Sequence, residues 1–142
     1  MRTKFDLPDD WDLSGSIVKP KMHIGMHPWC KFERTIEVEI MRLDDWADSK
    51  KIREIDIIKA DVQGAERDLI EGGLSSLRKT RYFYTEYNDS EAYEGQPTLE
   101  EILSMLPFFS INSKFDNDVL LENRLLRGAE MQLKAHLQRL VI

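Results

Sequence analysis

The chain has 142 residues, 20 Lys and Arg against 26 Asp and Glu, and a formal charge of −6 at pH 7. That is one domain at most, yet a chain of this size hides roughly two-thirds of its unfolded surface, and 42% apolar residues suffice for a core, so wholesale disorder is excluded. The isoelectric point is near 5.1, and Lys19-Pro20-Lys21 is too small a basic stretch for phosphate-backbone binding, so nucleic acid is not the expected partner.

No apolar run approaches the roughly 18–20 residues of a membrane span. The opening Met1-Arg2-Thr3-Lys4-Phe5-Asp6 has no stretch of signal-peptide type. The reading is a cytoplasmic chain without a membrane span. Cys30 is the only cysteine, which excludes an intrachain disulfide and suits a reducing compartment.

Residues 1–34 read as an irregular segment of loops and short strands, because Pro8, Gly15, Pro20, Gly25 and Pro28 interrupt each apolar run. Over 35–41, Ile36, Val38 and Ile40 alternate with Glu37 and Glu39, the period of a strand with one wet face. Leu43-Asp44-Asp45-Trp46 begins a short helical turn. The β-branched run 55–62 shows little alternation, as expected of a central parallel strand covered on both faces. Gln63-Gly64 breaks it, and 65–77 carries Ala65, Leu69, Ile70, Leu74 and Leu77 at helical spacing, with Gly72-Gly73 bending or ending the first segment.

The aromatic-rich 81–87 is a second strand, followed by the polar loop 88–96. Thr98 with Glu101 three residues on is a capping box that opens a helix reaching about Leu106. Residues 108–115 and 119–122 flank Asp116-Asn117-Asp118 as a hairpin. Ala129 to Ile142 carries Leu133, Leu137, Leu140 and Val141 on one face, an amphipathic terminal helix that packs on the sheet or on a partner. The order is α/β, with parallel strands ending in an antiparallel hairpin.

Ligands of open α/β sheets bind beyond the carboxyl ends of the strands. Asp61 and Glu86 stand there, about 5 Å apart if their strands are neighbours. Two carboxylates that close push their proton affinities apart and leave one suited to accept a proton. The structural alternative, Asp61 capping the turn and Glu86 in an ion pair, stays open on geometry alone.

The run Leu43-Asp44-Asp45-Trp46, then 55–66 with Lys59-Ala60-Asp61-Val62-Gln63-Gly64-Ala65-Glu66, then Leu69 and Glu71-Gly72-Gly73, resembles the signature of the FkbM-type methyltransferases. In order, that pattern is a Leu-Asp-Asp element, an apolar strand, and Lys-x-Asp-x-x-Gly-x-Glu entering a helix; Glu86 after an aromatic strand matches the strand that follows. The resemblance covers roughly 38–123 and implies a Rossmann-like (class I methyltransferase) sheet, S-adenosylmethionine as cofactor, and methyl transfer to a hydroxyl of a small acceptor such as a sugar, glycolipid or polyketide. It also marks a departure. The seven glycines (15, 25, 64, 72, 73, 95 and 128) form no Gly-x-Gly cluster, and the family's first strands have no room before Val38. Residues 35–126 are therefore expected to be the carboxyl-terminal half-domain, with 127–142 as the terminal helix, the glycine-rich cofactor loop lacking, and no cofactor-binding residue assignable.

The resemblance implies Asp61 as base or acceptor-orienting group and Glu86 as a hydrogen-bond partner of the acceptor hydroxyl or a neighbouring one. Glu66 is open between substrate binding and favouring the positive end of a helix. Lys59, mid-strand, needs a partner such as Glu86 or a buried carbonyl. Tyr87 and Tyr93 are substrate-binding candidates, the first by stacking, the second from its loop, although aromatics in a strand also serve as core. His23, His27 and Cys30 are metal-ligand types without a fourth ligand at finger-like spacing, so no metal is expected. Two functional classes follow: an O-methyltransferase of this family, or a non-catalytic half-domain that pairs with another chain, a complementing amino-terminal polypeptide or a second copy, through the strand edge that loss of the first strands would expose.

Overall fold

The computed structural model describes residues 1–8 and 14–128; the amphipathic helix expected at 129–142 lies outside them. The elements run β1 Arg2–Pro8, α1 His23–Met26, β2 Phe32–Glu39, α2 Leu43–Ser49, β3 Ile55–Ala60, α3 Glu66–Gly72, α4 Leu74–Arg78, β4 Thr80–Glu86, α5 Leu99–Met105, β5 Phe109–Lys114 and β6 Asp118–Asn123.

The sheet that carries the site has the order β3-β4-β6-β5. β3 and β4 are parallel, with Ala60 opposite Thr85, while β6 lies antiparallel to both β4 and β5. A mixed α/β sheet of parallel strands closed by an antiparallel hairpin is the expected class. The strand–helix–strand crossover is interrupted where expected: α3 ends at Gly72 and α4 restarts at Leu74. Gly73 has no room for a side chain, because a Cβ there would lie 2.7 Å from Leu43 Cδ2 and 2.9 Å from the Leu69 carbonyl.

Helices cover one face of this sheet. Phe83, Ile70, Leu77, Ile102, Leu106, Val119 and Leu121 are buried together there, and the alternation along β4 sends Phe83 and Thr85 inward and Tyr82, Tyr84 and Glu86 to the other side. The expected capping box is formed: Thr98 Oγ1 accepts from the Glu101 amide and Glu101 Oε2 accepts from the Thr98 amide.

Three expectations are corrected. β3 is an edge strand rather than a central one covered on both faces, and Ile57 is 57% exposed. The strand expected at 35–41 does not enter the main sheet; as β2 it pairs antiparallel with β1 in a separate ribbon whose Ile36 is 45% exposed. The amino-terminal stretch accordingly contains a seven-residue strand despite Pro8, which stands at the strand end beside a register shift, where a missing amide costs no ladder bond. No described helix is long and apolar enough to cross a membrane.

Candidate active site

β3 delivers Asp61 one step past its last paired residue, Ala60, beside Glu86 at the end of β4, and Glu86 stands opposite Asp118 of β6. Three acidic residues thus lie abreast at one end of the sheet. Burial, then Asp61, Asp118 and Glu66, push the Glu86 carboxyl up to about 7, with Lys59 as the weak opposing charge. A carboxyl near neutrality at the carboxyl end of a parallel pair is suited to take up a proton. Lys59 is exposed rather than buried, and its partner is Asp61, Nζ to Oδ2 at 3.6 Å, not Glu86 or a carbonyl.

The turn behind these strands is tight. Ala65 N donates to Val62 O at 3.2 Å across Gln63 (φ 47°) and Gly64 (φ 96°), two residues in the left-handed region. A Cβ at Gly64 would lie 2.4 Å from Tyr93 Cβ, so glycine is demanded by both angle and space. The turn feeds α3, whose first residue, Glu66, is 1% exposed. Its Oε1 accepts from Gly64 N at 3.3 Å, whereas its buried Oε2 has no protein partner. Burial holds the Glu66 carboxyl above its ordinary range. Glu66 thus sits behind the turn, in the first turn of α3.

Gln63 joins the two carboxylates. Its Nε2 donates to Asp61 Oδ1 at 2.7 Å and lies 3.5 Å from Glu86 Oε2, while Ser16 Oγ donates to its carbonyl at 2.6 Å. Sequence reasoning missed Gln63, since nothing local marks a glutamine in a turn as a bridge. Tyr93 is 2% exposed, with Oη 2.9 Å from Gln63 Oε1 and 3.1 Å from the Ser14 carbonyl. Tyr87 is apart from this group: it is buried in the core, and its hydroxyl lies 3.1 Å from the Asp116 carbonyl in the β5–β6 turn. His23 is buried between His27, Phe32 and Tyr93 with Nδ1 unpartnered; burial, then His27, lower its proton affinity.

A polar cavity of about 370 Å³ opens between the start of α3, the loop after β4 and the start of α5, lined by Arg67, Asn88, Asp89, Glu91, Gly95, Gln96, Thr98 and Glu101. The Leu43-Asp44-Asp45 element lies elsewhere and is structural: Asp44 accepts from Ser76 N and Ser76 Oγ, each at 2.7 Å, and from Ser75 N at 3.1 Å, fastening α2 to the start of α4. Burial alone would raise its carboxyl, but the hydrogen bonds from Ser76 and Ser75 outweigh it and hold the group below its ordinary range.

The family profile described as "Methyltransferase FkbM domain" matches residues 12–116. The chain belongs to the FkbM methyltransferase family. Among curated proteins, it is 50% identical over 118 residues to a 2-O-methyltransferase, NoeI, of Sinorhizobium fredii. That match takes in 80% of this chain and 49% of the relative, so the FkbM chain spans about half the length of the curated relative it matches. No solved structure matches it.

Proposed function

We propose that this chain is the acceptor-side portion of an FkbM-type, S-adenosylmethionine-dependent O-methyltransferase that acts on a small hydroxylated molecule. The observation that carries this reading is the Asp61–Glu86 pair at the ends of adjacent parallel strands, with the Glu86 carboxyl pushed up to about 7. Glu86 takes the proton of the acceptor hydroxyl, and Asp61 holds that hydroxyl, or its neighbour, in line. Membership of the family favours a sugar, glycolipid or hydroxylated polyketide as the ligand class; the polar cavity beside α3 and α5 is lined by neither Asp61 nor Glu86 and is not assigned to the acceptor.

The described residues fit only one end of the cofactor. Three carboxylates abreast suit a positive sulfonium. An adenosine moiety needs a backbone cradle and an acid for the ribose hydroxyls, and the described residues beyond the edge of β3 provide neither. We therefore place the cofactor-holding surface on another polypeptide segment alongside β3. Among the described residues no strand pairs with the outer edge of β3, which also favours a second reading, a non-catalytic half-domain that recruits a partner by strand pairing.

The test is calorimetric titration of the chain with S-adenosylmethionine, alone and mixed with a polypeptide spanning the part of the S. fredii relative that this chain does not cover. Saturable binding in the mixture alone, with methyl transfer abolished by Glu86→Gln, is the expected result. Tight binding by the isolated chain overturns the division of labour. Complex formation without cofactor binding supports the non-catalytic reading instead.

A further inference from the structure

We propose that Gln63, held in place by Tyr93, is a positioning residue that ties Asp61 to Glu86 and presents the pair to the acceptor as one unit. The role in presenting an acceptor rests on the methyltransferase reading; the locking of the amide does not.

Gln63 adopts φ 47°, a backbone that a non-glycine residue keeps only where its surroundings enforce it. Here three contacts enforce it: Ser16 Oγ on the main-chain carbonyl, Tyr93 Oη on Oε1, and Asp61 Oδ1 on Nε2. The orientation of the amide follows from chemistry. A carboxylate accepts and never donates, so the group facing Asp61 must be the Nε2 amine. Oε1 then faces Tyr93 and accepts its phenolic proton, for which the Ser14 carbonyl is the competing acceptor. Turned over, the amide would set Oε1 against Asp61 and leave a carboxylate without its donor.

The second amine proton of Nε2 is directed toward Glu86 Oε2 at 3.5 Å, a longer contact than the 2.7 Å bond to Asp61. The bridge is therefore lopsided: Asp61 is held firmly and Glu86 loosely, which leaves Glu86 the one of the pair freer to exchange a proton. Tyr93 is pinned in turn, because its Cβ fills the space that a side chain at residue 64 would need. Buried as it is, Tyr93 acts on the acceptor only through Gln63.

The test is carbon-detected NMR titration of the Glu86 carboxyl in the full chain, without cofactor or acceptor, for the wild type, Gln63→Leu, Gln63→Asn and Tyr93→Phe. The groups facing Glu86 are Lys59 and Asp61 from the β3 side, Tyr84 on its own strand, Asp118 on β6, Glu66 on α3 and Tyr93 from the loop, and all are kept except where the variant changes one. Loss of the bridging donor should raise the Glu86 midpoint further above about 7, by about half a pH unit, in Gln63→Leu and Gln63→Asn. Tyr93→Phe, whose amide is free to turn, should raise it by less. Asparagine tolerates the left-handed backbone better than glutamine but is one methylene too short to bridge. A merely structural Gln63 therefore leaves the Glu86 midpoint of a folded Gln63→Asn unchanged, and that result overturns the proposal. A shift in Gln63→Asn with none in Tyr93→Phe overturns the part given to Tyr93. Expected shifts in a chain whose complemented form binds no S-adenosylmethionine overturn the proposed function and leave the amide's role standing.

Discussion

Replacing Glu86 by glutamine should make the protein more stable at alkaline pH and catalytically inert at once. The carboxyl moves from an ordinary value of 4.5 to about 7 on folding. Full sequestration would make that worth about 3 kcal/mol, but Glu86 is only half-buried, and solvent screening leaves about 1–2 kcal/mol. The sign follows from linkage. A carboxyl whose folded-state affinity for protons is raised contributes stability that is fully present below the unfolded value of 4.5 and is lost as pH climbs through about 7. Glutamine never ionises, so the difference between variant and wild type reports this carboxyl together with its coupling to Asp61, Asp118 and Glu66. Urea denaturation of both proteins should give curves within about 0.5 kcal/mol of each other at pH 4 and a variant more stable by about 1–2 kcal/mol at pH 8.5. Methyl transfer by the complemented variant should fall about a hundredfold or more, the loss expected when a positioned general base is removed. A variant with the same relative stability at both pH values would refute the claim that burial and the neighbouring carboxylates raise the Glu86 carboxyl, and with it the reason for choosing Glu86 as proton acceptor.

Other outcomes follow from contacts at the turn and the helix ends. Gly64→Ala should cost about 2–4 kcal/mol in denaturant unfolding, since it combines a left-handed backbone at φ 96° with a Cβ placed 2.4 Å from Tyr93 Cβ. Asp44→Ala should cost about 2 kcal/mol through three lost hydrogen bonds at the start of α4. Because the Asp44 carboxyl is held low, its contribution is present above the ordinary value of 3.8 and lost as pH falls through the lower folded value, so the cost should shrink when measured in strong acid. Thr98→Ala, which opens the capping box of α5, should lower stability by about 1 kcal/mol, measurable as a lowered Tm.

What the chain discloses before folding depends on how local the physics is. The capping box at Thr98 and Glu101 rests on neighbours a few residues away, and glycine itself announces the break at 72–73 and the turn at 64, so each was readable, while the crowding by Leu43 and Tyr93 that demands Gly73 and Gly64 was not. The pairing of strands is not local. An apolar run such as 55–62 looks alike whether it ends in the middle of a sheet or at its edge, and only the observed order makes β3 an edge. Likewise, the alternation of Ile36, Val38 and Ile40 announces a strand without announcing that β1 is its partner. The acidic pair Asp61 and Glu86 was legible because strand ends on one side of a crossover converge. The bridge between them was hidden, since it joins Gln63 to a tyrosine and a serine on separate loops.

That bridge has a consequence for the order in which the molecule forms. β3, the crossover helices and β4 make a compact local unit, but the turn at Gln63 is clasped by Ser16, 47 residues earlier in the chain, and by Tyr93, 30 residues later, whose hydroxyl also reaches Ser14 across 79 residues. Contacts spanning such distances form late, after the entropy of closing the intervening loops has been spent. The sheet can therefore be complete while the turn is still loose, and the acidic pair is bridged only when two remote segments, the stretch at Ser14 and Ser16 and the loop at Tyr93, have closed over it. The same order reversed means that the turn opens first, so the amide of Gly64 should exchange with solvent well before those of β4 and β6, and competence should disappear at denaturant concentrations where the sheet is still intact.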